Sequence, residues 1–130
     1  MIALDTTALI DLFKGDKSLK LLMKDLNQGF ATTSINCQEI YFGITPKEPK
    51  HLLEEEEYNR FFKEIIVFDF DKNSANESSE IFWNLGARGE HIGKFDCMIA
   101  GTLISNSVDT VITKNKKHFE KIKGLKVLSY

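Results

Sequence analysis

The chain has 130 residues, with 17 basic and 19 acidic side chains that give a formal net charge of −2. This length, together with 42% hydrophobic residues, predicts one globular domain over residues 1–130. No apolar run approaches the roughly 20 residues of a membrane-spanning helix, and the two cysteines lack zinc-ligand spacing. We therefore exclude a membrane span and a zinc site, and we expect a cytoplasmic protein.

Short β-rich runs alternate with helical patterns along the chain. In chain order, the pattern predicts strand 1–4, helix 6–13, helix 18–27, strand 30–33, helix 35–44, a helix through 52–65, strand 65–70, helix 73–87, helix 95–106, strand 108–113, helix 115–122 and strand 125–128. Strands that alternate with helices indicate an α/β fold, in which a parallel sheet is covered by helices on both faces.

Two of the helices carry predictions about burial. Helix 95–106 is apolar on almost every side, which predicts a central, buried helix. Trp83 in helix 73–87 and most of the ten phenylalanines are assigned to the core, because their helical spacing is the spacing that packing requires.

Three carboxylates stand at the start of an element or on the apolar flank of a helix. Asp5 directly follows the first strand, Glu39 lies on an apolar flank of helix 35–44, and Asp96 begins the buried helix. Asp5 and Asp96 could be helix N-caps and nothing more. Without matching internal arginines, however, the three acids would repel one another unless a cation lay between them. Oxygen ligands favour Mg²⁺ or Mn²⁺, and such an ion can activate water for attack on a phosphate.

The charges are segregated along the chain although they nearly balance in total. Six lysines and one glutamate lie between residues 114 and 126, whereas four consecutive glutamates occupy residues 54–57. Either run could be no more than a solvated helix face. The charge pattern alone therefore does not identify a surface for nucleic acid.

Four blocks of the sequence together resemble one known family. They are LDTTALI at residues 4–10, SINCQEIYFG at 34–43, FDCMIAG at 95–101, and VITKNKKHF at 111–119 followed by glycine and leucine at 124–125. In this order they resemble PIN-domain proteins, specifically VapC-type toxins. The resemblance implies a PIN-like three-layer α/β/α fold with a central parallel sheet of strand order 3-2-1-4-5. It also implies a metal-dependent endoribonuclease that cleaves single-stranded RNA, is usually a homodimer, and is inhibited by a cognate VapB-like antitoxin.

The resemblance assigns roles to individual residues. Asp5, Glu39 and Asp96 match the family's acidic metal ligands, with Mg²⁺ or Mn²⁺ as the expected ion. Asn115 falls in the fourth block, where many relatives carry an aspartate, so a ligand at this position would be neutral and weaker. Asn115 could instead hydrogen-bond a metal-bound water or cap the following helix.

Further residues near these acids are candidates for supporting roles. Thr6 and Thr113 could orient the ligands without touching the ion, although Thr113 could be only a strand residue. Basic side chains that follow a strand end or bracket the loop before Asp96 are candidate contacts for RNA phosphates, namely Arg88, Lys94, Lys114, Lys116 and Lys117. The acidic helix 54–64 is a candidate contact for the antitoxin or for a second subunit.

Two other functions compete with the ribonuclease. A Mg²⁺-dependent phosphatase would use Asp5 as its nucleophile, but such sites resemble a DxD motif and Thr7 occupies its second position. A non-catalytic PIN-like module would bind RNA or protein and would use the carboxylates only as structural caps. A divalent metal should stabilise the enzyme against unfolding and leave the non-catalytic module unaffected.

Overall fold

Five short parallel strands form the central sheet in the computed structural model, which describes residues 1–130. The strands are β1 (Ile2–Leu4), β2 (Phe30–Thr33), β3 (Ile66–Phe68), β4 (Thr110–Ile112) and β5 (Lys126–Leu128). Their spatial order is β3-β2-β1-β4-β5, and every neighbouring pair is parallel. The strand order 3-2-1-4-5 is therefore confirmed, and it places β1 at the centre of the sheet.

Helices connect the strands at nearly the predicted positions. They are α1 (Thr6–Lys14), α2 (Lys17–Leu26), α3 (Ser34–Phe42), α4 (Leu52–Glu64), α5 (Lys72–Ala87), α6 (Lys94–Ser105) and α7 (Lys116–Phe119), with a 3₁₀ turn at Pro49–His51. Three predicted elements are too long, since strands 65–70 and 108–113 each shorten to three residues and helix 115–122 shortens to a single turn. Neither α4, α5 nor any other helix is long and apolar enough to span a bilayer.

The sheet separates two layers of apolar side chains. Ala3 and Val111 face a core built with α5 and α6, whereas Leu4 and Ile112 face a core built with α1 and α2. Successive residues of a strand point to opposite faces, so β1 and β4 each contribute to both cores. The three-layer α/β/α arrangement and the buried character of α6 are thereby confirmed.

The contact between α5 and α6 depends on a glycine. A Cβ atom at Gly101 would lie 2.5 Å from the backbone nitrogen of Ser78 and 2.8 Å from the carbonyl oxygen of Ser74. These distances are shorter than any contact that backbone atoms tolerate, so only glycine fits here. The close approach holds α6, which carries Asp96 in its first turn, against α5.

The prediction of a core position is wrong for Trp83, which is 69% exposed and packs edge-on against Phe82. Ile81 and Leu85 on the same helix are buried against α6. Residue 83 is two positions from each of them, and two residues along an α-helix is more than half a turn. Helix α5 has apolar residues on several faces, and α6 packs against a face that does not include Trp83.

Candidate active site

The three predicted acids approach one another at the carboxyl edge of the sheet. Asp5 is the first residue after β1, Glu39 lies on α3 directly after β2, and Asp96 lies in the first turn of α6. The carboxyl ends of parallel strands share one edge of the sheet, where open α/β folds form their ligand crevices. We call the space between these three carboxylates the acid cleft.

Asp5 is held by neutral hydrogen-bond donors on both of its carboxylate oxygens. The side chain is 2% exposed. Its Oδ1 accepts from Asn36 Nδ2 at 2.9 Å, and its Oδ2 accepts from Thr113 Oγ1 at 2.7 Å. Asp5 occupies the N-cap position of α1, but its side chain makes no capping hydrogen bond. The carboxylate is therefore directed into the acid cleft and does not act as a cap.

Glu39 and Asp96 are each oriented by one side chain from another element. Thr6 Oγ1 donates to Glu39 Oε1 at 2.6 Å. His118 Nδ1 lies 2.8 Å from Asp96 Oδ2. The N-cap of α6 is Gly93, so the capping alternative does not apply to Asp96 either.

The acid cleft raises the pKa of all three carboxyl groups. Burial is the largest cause for each of them. The negative charge of Asp96 further raises the pKa of Asp5 and of Glu39, and Asp5 also raises that of Glu39. For Asp96, the contact with His118 acts in the opposite direction. The three groups are thus close enough to repel one another.

No lysine or arginine forms an ion pair with Asp5 or Glu39, since the ion pairs in the structure are Arg88–Glu90, Lys114–Asp11 and His118–Asp96. The cleft offers only oxygen donors from carboxylates, which is the donor type that Mg²⁺ and Mn²⁺ prefer. No three His, Cys, Asp or Glu side chains are spaced as ligands around one ion. An ion shared by the three acids would therefore be held in part through bound water, because Mg²⁺ commonly keeps several waters.

Hydroxyl groups surround the acid cleft. Thr113 Oγ1 donates to Asp5, accepts from the backbone N–H of Asn115 at 3.0 Å, and lies 3.2 Å from Thr7 Oγ1. Because the Thr113 hydrogen is used toward Asp5, Thr7 is the donor in the pair of hydroxyls. The structure therefore brings Thr6 and Thr113, both singled out from the sequence, into direct contact with the acids.

The polar residues that follow β4 differ in the contacts that their side chains make. Asn115 occupies the N-cap position of α7, but its exposed side chain makes no capping hydrogen bond. Lys114 is paired with Asp11, at 2.8 Å between Nζ and Oδ2. Lys116 and Lys117 are exposed and, with the neighbouring residues of the same turn, line a cavity of about 460 Å³.

The two basic residues before α6 differ in how they are engaged. Arg88 donates to the carbonyl oxygen of Lys121 at 3.0 Å and pairs with Glu90 at 3.4 Å. Lys94 is exposed and unpaired at the first position of α6, two residues before Asp96. Of the five basic candidates, Lys94, Lys116 and Lys117 are those whose ammonium groups make no ion pair within the chain.

Sequence reasoning missed two residues that touch the acids. Asn36, a polar residue that was not singled out from the sequence, is 1% exposed and donates a hydrogen bond to Asp5. Its spacing offered a signal, because a residue three or four positions before Glu39 and Ile40 shares their helix face. His118 gave no such signal, since its contact with Asp96 joins α7 to α6 across the fold.

Comparison with known proteins identifies the family. The family model of the PIN domain matches residues 2–125. The chain is 30% identical to the tRNA(fMet)-specific endonuclease VapC of Shigella flexneri, covering 95% of this chain and 92% of the relative. It is 34% identical to ribonuclease VapC1 of Methanocaldococcus jannaschii, covering 97% and 85%.

Solved structures agree with this assignment. VapBC2 from Rickettsia felis, bound to a DNA fragment from its promoter, superposes with a TM-score of 0.85 at 25% identity, covering 100% of this chain and 99% of the other. VapBC from Salmonella typhimurium, also bound to DNA, superposes with a TM-score of 0.83 at 23% identity and shares the fold, covering 98% and 96%. The four sequence blocks, the sheet order and these relatives agree, and the chain belongs to the PIN-domain family as a VapC-type member.

Proposed function

We propose that this protein is a divalent-metal-dependent endoribonuclease that cleaves single-stranded RNA, acting as the toxin of a toxin-antitoxin pair. The observation that carries the proposal is the acid cleft, in which three carboxylates lie close together. The negative charge of Asp96 raises the pKa of Asp5 and of Glu39, and neither Asp5 nor Glu39 has a cationic partner. The names of the Shigella and Methanocaldococcus relatives support a nuclease acting on RNA. We propose that residues 1–130 act as a single domain in the cytoplasm, where transfer and messenger RNA are found.

In the proposed mechanism, Asp5, Glu39 and Asp96 would hold Mg²⁺ or Mn²⁺. When bound, the ion supplies an activated water and stabilises the charge that develops on an attacked phosphate. The chain's own residues prepare the ligands: Thr113 and Thr6 fix the carboxylates of Asp5 and Glu39 through short hydrogen bonds. These bonds limit the rotation of the carboxylates, so less conformational freedom is lost when a cation binds.

The residues around the cleft would position the RNA. Lys94 lies two residues before Asp96, and Lys116 and Lys117 directly precede His118, which contacts Asp96. Their unpaired ammonium groups could neutralise phosphates on either side of the cut. Asn115 has a free amide at the same rim, which could hydrogen-bond a water or a phosphate oxygen. Arg88 and Lys114 are proposed as weaker contacts, because each is already engaged within the chain.

The proposal is tested by unfolding the protein with and without Mn²⁺. At a concentration about 100 times its Kd, the metal should raise the free energy of unfolding by ~2.7 kcal/mol. The same titration of Asp5→Asn should give a much smaller shift, because one ligand is lost. A wild-type protein that cleaved RNA but showed no metal response would contradict metal dependence, and absence of both would favour a non-catalytic module.

We propose a VapB-like antitoxin as the protein partner and a homodimer as the assembly. The solved VapBC complexes from Rickettsia felis and Salmonella typhimurium support the antitoxin partner. Helix α4 is the proposed contact surface, because its leading leucines are 50% and 78% exposed and three of its four consecutive glutamates are exposed. The exposed leucines and the exposed glutamates Glu54, Glu56 and Glu57 suit a partner segment with apolar and basic side chains.

Reversing charges on α4 tests this surface. The double variant Glu54→Lys with Glu57→Lys should weaken binding of the antitoxin encoded by the neighbouring reading frame, mainly by slowing association. Calorimetry and stopped-flow binding would measure the affinity and the rate, and analytical ultracentrifugation would report the oligomeric state. Unchanged affinity and unchanged oligomeric state would remove α4 from both interfaces.

A further inference from the structure

Asn36 is the centre of a hydrogen-bond network that connects two of the three acids. Its Nδ2 donates to Asp5 Oδ1 at 2.9 Å and to Thr6 Oγ1 at 3.0 Å. Thr6 in turn donates its own hydrogen to Glu39 Oε1 at 2.6 Å. A single amide group therefore contacts Asp5 directly and Glu39 through one hydroxyl.

The orientation of the Asn36 amide follows from its other contacts. Thr33 Oγ1 donates to Asn36 Oδ1 at 2.7 Å, and accepts from the backbone N–H of Asn36 at 3.2 Å as the N-cap of α3. With the oxygen directed at Thr33, both hydrogens of the amide are directed at Asp5 and Thr6. The reverse orientation would place the amide oxygen against the carboxylate of Asp5, which is repulsive.

Burial makes this network rigid. Asn36 is 1% exposed, Thr33 is fully buried, and Asp5 is 2% exposed. A buried amide that lost these partners would incur the full desolvation penalty, so the side chain has no alternative arrangement of similar energy. Because each donor of the network has one acceptor, the network also restricts the orientation of the Asp5 and Glu39 carboxylates.

We infer that Asn36 is a positioning residue of the proposed metal site, which sets the orientation of Asp5 directly and of Glu39 through Thr6. The inference rests on the proposed function, because it assumes that these carboxylates hold a divalent cation. Substitution of one group that hydrogen-bonds a metal ligand typically lowers metal affinity or activity by about 10-fold to 100-fold. An asparagine that orients two ligands should fall in this range.

The test measures Mn²⁺ binding directly, by calorimetry on the intact protein. Asn36→Leu keeps the size of the side chain and removes both donors, so the Kd for Mn²⁺ should rise about 10-fold to 100-fold. Thr32→Val is the matched control: Thr32 is fully buried on the same strand end, but its hydroxyl donates to the carbonyl oxygen of Leu4 and touches no acid. Thr32→Val should bind Mn²⁺ as the wild type does.

A second variant covers the case in which Asn36→Leu does not fold. Thr33→Val leaves Asn36 in place and removes the hydroxyl that holds its oxygen, so Mn²⁺ affinity should fall by a smaller factor. Circular dichroism without metal establishes that each variant is folded. If folded Asn36 and Thr33 variants bind Mn²⁺ within twofold of the Thr32 control, the inference is overturned.

Asp5→Asn separates this inference from the proposed function. If Asp5→Asn loses Mn²⁺ affinity and Asn36→Leu retains it, the metal site stands and only the role of Asn36 fails. If Asp5→Asn binds Mn²⁺ like the wild type, the metal site itself is wrong. A parallel rise in Kd for Asn36→Leu and Asp5→Asn, with Thr32→Val unchanged, supports both.

Discussion

Asp5 and Asp11 belong to the same helix region and have opposite electrostatic environments. Asp5 receives hydrogen bonds only from neutral groups, Asn36 and Thr113, and burial raises its pKa. Asp11 is bonded by the ammonium group of Lys114 and by the hydroxyl of Tyr130, and these contacts lower its pKa. Both are aspartates beside the same β4–α7 segment, yet only one has its charge balanced within the chain.

The comparison distinguishes Asp5, which can serve as a metal ligand, from Asp11, which stabilises the fold through its ion pair. The charge of Asp11 is already matched by Lys114, which also lies 5.2 Å from the ring centre of Tyr130. The carboxylate of Asp5 is buried and held in place by hydrogen bonds, but no cation balances its charge. Binding of a cation in the acid cleft would therefore stabilise the charged form of Asp5. The presence or absence of a cationic partner therefore distinguishes the structural aspartate from the proposed metal ligand.

The largest expected effect is on RNA cleavage. Asp5→Asn should reduce the rate of cleavage of a single-stranded RNA oligonucleotide at least about 100-fold, because a proposed metal ligand becomes neutral. Asp96→Asn should have a similar effect. Asp11→Asn is the matched control on the same helix and should cleave within about twofold of the wild type. A wild-type rate for Asp5→Asn would refute the assignment of the acid cleft.

The two aspartates should also respond to pH in opposite senses. The pKa values of Asp5, Glu39 and Asp96 are raised above the ordinary 3.8 for aspartate and 4.5 for glutamate, so the folded state binds protons more tightly than the unfolded state. Their contribution to stability is present below these ordinary values and is lost as pH rises through the raised pKa values. Asp11 contributes stability above 3.8 that is lost as pH falls through its lowered pKa.

Urea unfolding in the presence of EDTA, from acid to neutral pH, measures this difference. Asp5→Asn should flatten the loss of stability on the neutral side, and Asp11→Asn should flatten the loss on the acid side. Mn²⁺ should offset the neutral-side loss in the wild type, because deprotonated carboxylates bind the ion. Identical pH profiles for Asp5→Asn and the wild type would show that burial of Asp5 carries no such linkage.

A smaller effect is expected when single lysines are removed. Lys117→Ala should weaken RNA binding and reduce the slope of log affinity against log salt by about 0.7, as expected for one lost contact to a single strand. Lys114→Ala should change the slope less, because Lys114 is paired with Asp11. Fluorescence anisotropy with a non-cleavable RNA at several salt concentrations would measure both slopes. Equal slopes would mean that the ion pair opens to admit RNA.

The smallest effect is expected for Tyr130→Phe, which removes only the hydroxyl that donates to Asp11. The free energy of unfolding should fall by about 1 kcal/mol or less, since the pair is partly exposed to water. Chemical denaturation measures this change, and RNA cleavage should be unaltered. A large loss of cleavage would instead show that Asp11 and its partners act on the acid cleft.

Most of the fold was predictable because its signals are local. Hydrophobic periodicity placed nearly every helix and strand, and the alternation of strands and helices indicated the parallel sheet. The prediction failed for Trp83, because a helix with apolar residues on several sides does not reveal which side meets α6. The predicted ends of β3, β4 and α7 were also wrong, since element boundaries depend on contacts with neighbouring elements more than on propensity.

The acids were predictable and their partners were not. Asp5, Glu39 and Asp96 stand out in the sequence because each follows a strand or lies on an apolar helix flank. Thr6 and Thr113 were singled out for supporting roles, and the structure brings both against the acids. Their roles in catalysis remain predictions.

Sequence by itself determined the order of elements, the four family blocks and the acids that lie at the carboxyl edge of the sheet. Spacing along one helix or strand is sufficient for this, because it fixes which residues share a face. Tertiary structure decided that Asn36 bonds to Asp5, that His118 reaches Asp96, and that Lys114 is paired with Asp11. Each of these contacts joins elements far apart in the chain, and their meeting depends on sheet order and helix packing that no local spacing encodes.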